Sequence, residues 1–368
     1  MDKAYSVFLS LVKSELWQTP LDLSLSHSEF TDVYNIASKQ AMLGILAASL
    51  IRNDVQLERQ DVLKVLTIQG TIAKSNRALN AELERLRCLL DKNKIDAIVV
   101  KGQTIGIYYP DPFSRTPGDI DFYCDKKNLA KVIPAIAHDW GININVEPTD
   151  QHFEIDHNAI TLELHHCLMR FASHKSQKIW NRIFENLKPS FVNVNGSSIQ
   201  TLEPTLNLLY TFLHLYHHLI ELGVGLRQFC DVAILLKVYH DVIDKEQLYR
   251  WLDELDFRKA FDAIQLILVK LLGLDEKFAL CPIPVNESSD TISLFMDIVW
   301  FGGNFGFHGY NRSFRFKSQY FLVTTYRKLQ LYYRFYRFSP REIRASVLSA
   351  IPHKAMLAFK GRLQKPFS

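Results

Sequence analysis

The chain has 368 residues, of which 48% are hydrophobic and 22% charged, with a formal net charge of +4. That length supplies two or three domains with ample core material. No apolar run approaches the roughly 20 residues of a bilayer-spanning helix, which excludes a helical membrane-spanning protein. The five cysteines, Cys88, Cys124, Cys167, Cys230 and Cys281, are odd in number, scattered and without CxxC spacing. They exclude a disulfide framework and are expected as reduced thiols in a cytoplasmic protein.

Residues 1–92 are expected as an N-terminal helical region. The opening MDKAYSVFLSLVKSELW is amphipathic and carries early acids, so it reads as a helix and not as an export signal. Apolar positions recur at helical spacing from Val62, Leu63 and Leu66 to Leu79, Leu83, Leu86 and Leu90. Glu82, Glu84, Arg85 and Arg87 are then expected on the solvated face.

Residues 93–203 mix strand and helix signals. The β-branched run Ile95–Val100 reads as a buried strand, Lys101-Gly102 ends it, and Gln103–Tyr109 reads as a short helix. A glycine between strand and helix lets the backbone approach a ligand closely, and a helix N-terminus offers free N–H groups to phosphate. After a turn carrying Arg115 comes Gly118-Asp119-Ile120-Asp121. In an extended strand, residues i and i+2 share a face, so both carboxylates project together and repel unless a cation lies between them. Mg²⁺, a hard oxygen-seeking ion, is usually held by one or two carboxylates plus substrate phosphates.

A helix is expected over Lys126–Trp140 with Gly141 as its stop, followed by a strand over Ile142–Val146. The stretches His152–Asn158 and Ile160–His165 alternate polar and apolar residues about a tight turn at Asn158-Ala159, the pattern of a hairpin. Glu163 and His165 would share one face while Leu162 and Leu164 face the core. Glu163 is a candidate third acid, with Glu154 and Asp156 on the neighbouring strand as rivals. A small hairpin over Phe191–Leu202 turns at Asn195-Gly196.

Residues 204–368 are expected to be helical. Leu206–Leu222 is strongly apolar and carries His214, His217 and His218, followed by Arg227 and Asp231. The histidine spacing would suit zinc, yet histidines packed in a bundle are the better account. Arg227 either reaches phosphates, oriented by Asp231, or forms a structural i,i+4 pair with it. From Arg312 to Ser368 there are 13 Lys or Arg residues and one acid, Glu342, interleaved with aromatics from Tyr320 to Phe338. Such a tail packs on the body of the protein, binds an anionic membrane surface peripherally, or binds RNA, in that order of expectation.

Taken as a set, Val100-Lys101-Gly102, Tyr109-Pro110-Asp111-Pro112, Arg115, the Asp119-Ile120-Asp121 triplet and Glu163-Leu164-His165 resemble the uncharacterised nucleotidyltransferase family of the polymerase-β superfamily. The resemblance runs from Ile95 to Asp231 and departs from the superfamily in having Gly102-Gln103 where Gly-Ser is usual. It implies a mixed α+β fold, with a polymerase-β-like sheet-and-helix core between two helical regions. The activity implied is Mg²⁺-dependent transfer of a nucleoside monophosphate from a nucleoside triphosphate such as ATP, with Mn²⁺ as an alternative cofactor. Asp119, Asp121 and Glu163 would be the catalytic metal ligands, and Lys101, Gly102, Gln103, Arg115 and Arg227 would hold the nucleotide. The acceptor is open: a protein side chain, a small-molecule hydroxyl, a sugar phosphate or an RNA end. The competing expectation is a catalytically silent nucleotide- or phosphosugar-binding module, including a peripheral membrane component of surface-polysaccharide production.

Overall fold

The computed structural model describes residues 3–142, 152–221, 223–284, 288–304 and 317–348. Helices α1 (Lys3–Trp17), α2 (His27–Lys39), α3 (Leu43–Arg52) and the long α4 (Arg59–Lys92) come first. The start of α2 is fixed by a capping box, in which the Ser26 side chain accepts from the Glu29 backbone and Glu29 reaches back to the Ser26 N–H.

The α/β part follows as β1 (Ile98–Val100), α5 (Gly102–Gly106), β2 (Ile120–Tyr123), α6 (Lys126–Trp140), β3 (His152–His157) and β4 (Ile160–His165). These strands form one sheet in the order β1-β2-β4-β3, with β2 and β4 parallel and the outer pairs antiparallel. Helix α6 starts directly after β2, where Asp125 caps the Asn128 N–H, and stops at Gly141 in the left-handed conformation. After α7 (His174–Glu185), the hairpin of β5 (Pro189–Val194) and β6 (Ser197–Leu202) turns at Asn195 and Gly196, both at positive φ. Thr201 ties this hairpin to the main sheet by donating to the Val99 carbonyl at 2.7 Å.

The remaining described elements are helical: α8 (Pro204–Glu221), α9 (Leu226–Tyr239), α10 (Lys245–Leu255), α11 (Arg258–Lys270), α12 (Ser288–Gly302), α13 (Lys317–Phe335) and a last stretch over 340–348. The fold is a mixed α+β arrangement with helical regions on both sides of the sheet in sequence. Packing gathers it into two hydrophobic clusters. In one, the second half of α4 (Leu79, Leu83, Leu86) and α6 (Val132, Ile136) cover the sheet face of Ile120, Phe122, Leu162 and Leu164. In the other, α1–α3 pack with α8–α11 and with Tyr332 and Phe335 of α13. The opposite sheet face carries the polar residues.

Several local expectations change. Regular pairing begins at Ile98 and not Ile95, although Ile95 and Ala97 are buried. The helix after Gly102 ends at Gly106, short of Tyr109. Glu82 is fully buried and not solvated: His157, Asn158 and Arg85 surround its carboxylate. Leu63 and Leu66 are instead exposed, because the first half of α4 turns Asp61, Val65 and Ala73 to the core and these leucines to the other face. The expected strand over Ile142–Val146 lies, beyond Ile142, outside the described residues.

The loop leading to β2 is pressed against α3. A Cβ on Gly44 would lie 2.0 Å from the Ser114 carbonyl oxygen. Gly44→Ala is therefore expected to destabilise the protein in urea unfolding by about 2–3 kcal/mol, at the upper end of overpacking costs. Gly70→Ala, whose Cβ would meet nothing within 4 Å, is expected to stabilise by up to ~1 kcal/mol through helix propensity. Equal effects at both sites would contradict this close approach.

Candidate active site

Asp119 lies immediately before β2 and Asp121 lies within it, so their side chains share the sheet face away from α4 and α6. Parallel pairing sets Asp121 directly beside Glu163 on β4, and Tyr123 beside His165. Antiparallel pairing sets Glu154 opposite Glu163, one strand further from Asp121. Like charges directly opposite destabilise a ladder. His152 reaches both, its Nε2 lying 3.5 Å from Glu154 and 3.9 Å from Glu163. Asp156 is exposed and accepts from Thr161.

Asp121 is 4% exposed. Its Oδ1 meets the Lys101 ammonium at 2.7 Å and His165 Nε2 at 2.8 Å. Burial alone would favour the neutral acid, but Lys101 and then His165 outweigh it and hold this carboxyl well below the usual range. Asp119 is less well compensated. Burial and the neighbouring Asp121 charge push it up to about 6, with Lys101 opposing and Glu163 adding to the rise. Glu163 lies 3.3 Å from His165 Nε2; burial opposes its charge, yet that hydrogen bond brings its pKa below normal. For His165, burial acts to lower the pKa, and hydrogen bonds to Asp121 and Glu163 overcome it, so the net shift is upward. One ring nitrogen thus holds a proton between two carboxylates.

Lys101 reaches this position through an unusual backbone. Its φ of 56° and ψ of −149° lie where glycine normally stands, and Gly102 follows at φ 44°. Such strain costs roughly 1–3 kcal/mol and persists where surrounding contacts over-determine it. Here burial alone would favour neutral lysine, but Asp121, Tyr210 and Asp119 raise its pKa and keep it charged. A Cβ on Gly102 would stand 3.5 Å from the Asp119 carbonyl, so the two turns lie against each other. Gln103 turns its side chain to Asn80 of α4.

The arginines are engaged within the protein. Arg115, 5% exposed, makes a two-pronged pair with Asp231 of α9, its Nε and Nη2 each at 2.8 Å, and the Tyr109 hydroxyl joins the same carboxylate at 2.7 Å. The expected i,i+4 pairing of Arg227 with Asp231 is thereby corrected: Asp231 spends its oxygens on Arg115 and Tyr109. Arg227 donates to the Thr116 carbonyl at 2.7 Å, against the loop that leads to Asp119. Burial and the nearby Arg115 lower the Arg227 pKa. Sequence reading missed the Asp231 assignment because its partners lie 116 and 122 positions away, beyond any local spacing rule.

His214 Nε2 lies 3.5 Å from Lys101 Nζ, so α8 forms a wall of the site. Burial pushes His214 well below its ordinary range and His218 down to about 3, which keeps both imidazoles neutral. Among the described residues, the three-residue sets with ligand atoms within 4.8 Å of one another are His152–Glu163–His165 and His27–Glu58–Asp61. Neither the α8 histidines nor Asp119, Asp121 and Glu163 together form such a set.

Residues 26–273 match the model of a family described as uncharacterised nucleotidyltransferase. The chain belongs to this family. The match is wider than the stretch bearing the motifs, taking in α2–α4 before it and α10–α11 after it. A solved structure similar to this nucleotidyltransferase-family chain is an antigenic nucleotidyltransferase-like protein from Paracoccidioides brasiliensis. It is 13% identical over 54% of this chain and 92% of its own, with a TM-score of 0.30, too slight a likeness to carry an argument. No curated protein matches the chain.

Two stability predictions follow from this geometry. Asp119 has a folded pKa above its unfolded value, so the native state binds more protons between about pH 4 and pH 6, and this group's contribution to stability falls as pH rises through that window. Asp119→Asn is therefore expected to stabilise the cation-free protein by ~1–2 kcal/mol near pH 7, with the gain fading by about pH 4. Asp231→Ala leaves Arg115 buried without a counter-charge and is expected to cost about 3–5 kcal/mol in denaturant unfolding. An unchanged midpoint for Asp231→Ala would remove the pair from the fold's support.

Proposed function

We propose that the protein is a divalent-cation-dependent nucleotidyltransferase that moves a nucleoside monophosphate from a nucleoside triphosphate to a hydroxyl or phosphate acceptor. The observation carrying this reading is the meeting of Asp119, Asp121 and Glu163 on one sheet face with Lys101 in contact. The donor set fits Mg²⁺ or Mn²⁺: it consists of carboxylate oxygens, and the raised Asp119 pKa marks negative charge that Lys101 and His165 do not fully balance. Asp119 and Asp121 would hold the ion, with Glu163 completing its shell. When bound, it would neutralise the triphosphate and the entering and leaving oxygens.

The protein's own groups supply the rest. Lys101 and His165 both occupy Asp121 Oδ1, so Oδ2 is the oxygen that would meet the ion. The ionised Glu163 takes the proton of the acceptor hydroxyl as its oxygen bonds to the α-phosphorus, and the bond to pyrophosphate breaks. Lys101 sits where phosphate charge gathers, while Arg115 and Arg227 act through the walls, fixing the loop that carries Asp119. Positioning and charge neutralisation supply most of the catalysis in phosphoryl chemistry of this kind.

A silent nucleotide- or phosphosugar-binding module is the second reading. It is favoured by the absence of Asp119, Asp121 and Glu163 as a set from the close ligand groupings among the described residues. Label transfer from radiolabelled nucleoside triphosphates under Mg²⁺ and Mn²⁺ separates the two, since a module binds without transfer. Asp119→Asn and Asp121→Asn are expected to lower transfer by at least roughly a hundredfold, with the fold retained. Glu163→Gln is expected to lose nearly as much, and Glu154→Gln and Asp156→Asn far less. Near-normal transfer by Asp119→Asn would reject the assignment, and equal losses at all three hairpin acids would withdraw the role of Glu163.

A further inference from the structure

The basic aromatic segment divides between two faces of one helix. Inward, Tyr332 and Phe335 of α13, with Phe338 beyond it, are buried in the helical cluster. Glu221 at the end of α8 accepts from the Tyr332 hydroxyl at 2.5 Å and pairs with Lys328. Outward, Tyr326, Leu329 and Tyr333 follow at spacings of three and four, which places them on one face of α13, and Tyr336 lies exposed in the turn directly after it. Tyr333 is 85% exposed and Tyr326 63%, and Leu348 of the last helix is 77% exposed.

The charge on this outward face is mostly basic. Arg334, Arg337 and Arg344 flank the tyrosines and are exposed. The single acid of residues 317–348, Glu342, is 4% exposed and accepts from the backbone N–H groups of Ala172 and Ser173. The neighbouring α12 contributes Asp297, which pairs with Arg334 at 3.1 Å. The sequence beyond this helix adds Lys354, Lys360, Arg362 and Lys365 with no further acid.

We infer that this face of α13 lies on an anionic lipid surface. Tyrosine rings suit the headgroup layer, where one edge is apolar and the hydroxyl is wet. Arginines gain from the negative surface potential of acidic lipids. Leu329 is an apolar group on this face that an acyl boundary buries and a single-stranded nucleic acid does not. No helix among the described residues is long and apolar enough to cross a membrane, so the contact is peripheral, by a helix lying in the interface. This inference does not rest on the transfer reaction.

Co-sedimentation of the full chain with vesicles tests it, comparing phosphatidylcholine alone with mixtures containing phosphatidylserine. Binding is expected for the anionic vesicles only, weakening with added salt as exposed charges are screened over about 8 Å at physiological ionic strength. The double variant Tyr326→Ser/Tyr333→Ser, at positions outside the core, is expected to keep its melting temperature and lose on the order of tenfold in vesicle affinity. Arg334→Gln/Arg337→Gln/Arg344→Gln is expected to lose on the order of a hundredfold. No binding to anionic vesicles at low salt overturns the inference, as does full retention of binding by the tyrosine variant. Tighter binding to single-stranded RNA, lost with the same tyrosines, assigns the face to nucleic acid and likewise overturns it.

Discussion

Negative charge held together on one sheet face is the constraint around which this protein is arranged. Register forces Asp121 and Glu163 to neighbouring positions on parallel strands, with Asp119 on the same side. Without compensation, burial and mutual repulsion would protonate the acids or open the sheet edge. The fold answers with one lysine and one histidine on a single oxygen of Asp121, and with a second histidine between Glu154 and Glu163. The compensation is partial, and it falls short at Asp119. That shortfall is the charge that the cation proposed for this site would offset.

Placing Lys101 there has consequences through the rest of the core. The chain turns at Lys101 and Gly102 with both residues at positive φ, which aims the lysine across β2. On its far side stand His214 and Tyr210 of α8, neutral groups that tolerate burial beside a charge. The loop entering β2 is held from three directions: Gly44 of α3 beneath Ser114, Asn76 of α4 donating to the Phe113 and Arg115 carbonyls, and Arg227 of α9 on Thr116. The Arg115–Asp231 pair, with both partners buried, then ties that loop to α9. A buried pair of this kind contributes little net stability, but losing one partner is costly. Its effect is to specify where the Asp119 loop sits.

The family match extends from α2 to the end of α11, which agrees with that physical dependence. The strands carry the acids, but helices before and after them hold the loop and wall the site. A smaller fragment bounded by the motifs would lack the supports on α3 and α4. The outward face of α13 lies beyond the matched residues and belongs to a separate physical logic, that of tyrosines and arginines with Asp297 beside them.

The sequence alone determined the local elements wherever a short-range pattern carried the information. Alternation over His152–His165 and the Asn158-Ala159 turn specified the hairpin, Gly141 ended α6, and Asp-x-Asp placed two acids on one face, because side-chain direction follows from strand periodicity. The motif set also sufficed to indicate the family. Tertiary structure alone decided which groups meet. Glu82 looked like a solvated helix residue, yet it is buried beneath His157, because the hairpin folds back over α4. Asp231 had Arg227 four residues away, yet it pairs with Arg115, because α9 packs against the loop before β2 and brings a guanidinium fork to both its oxygens. Contacts between residues more than a hundred positions apart depend on how whole elements pack, and no periodicity within either element encodes them.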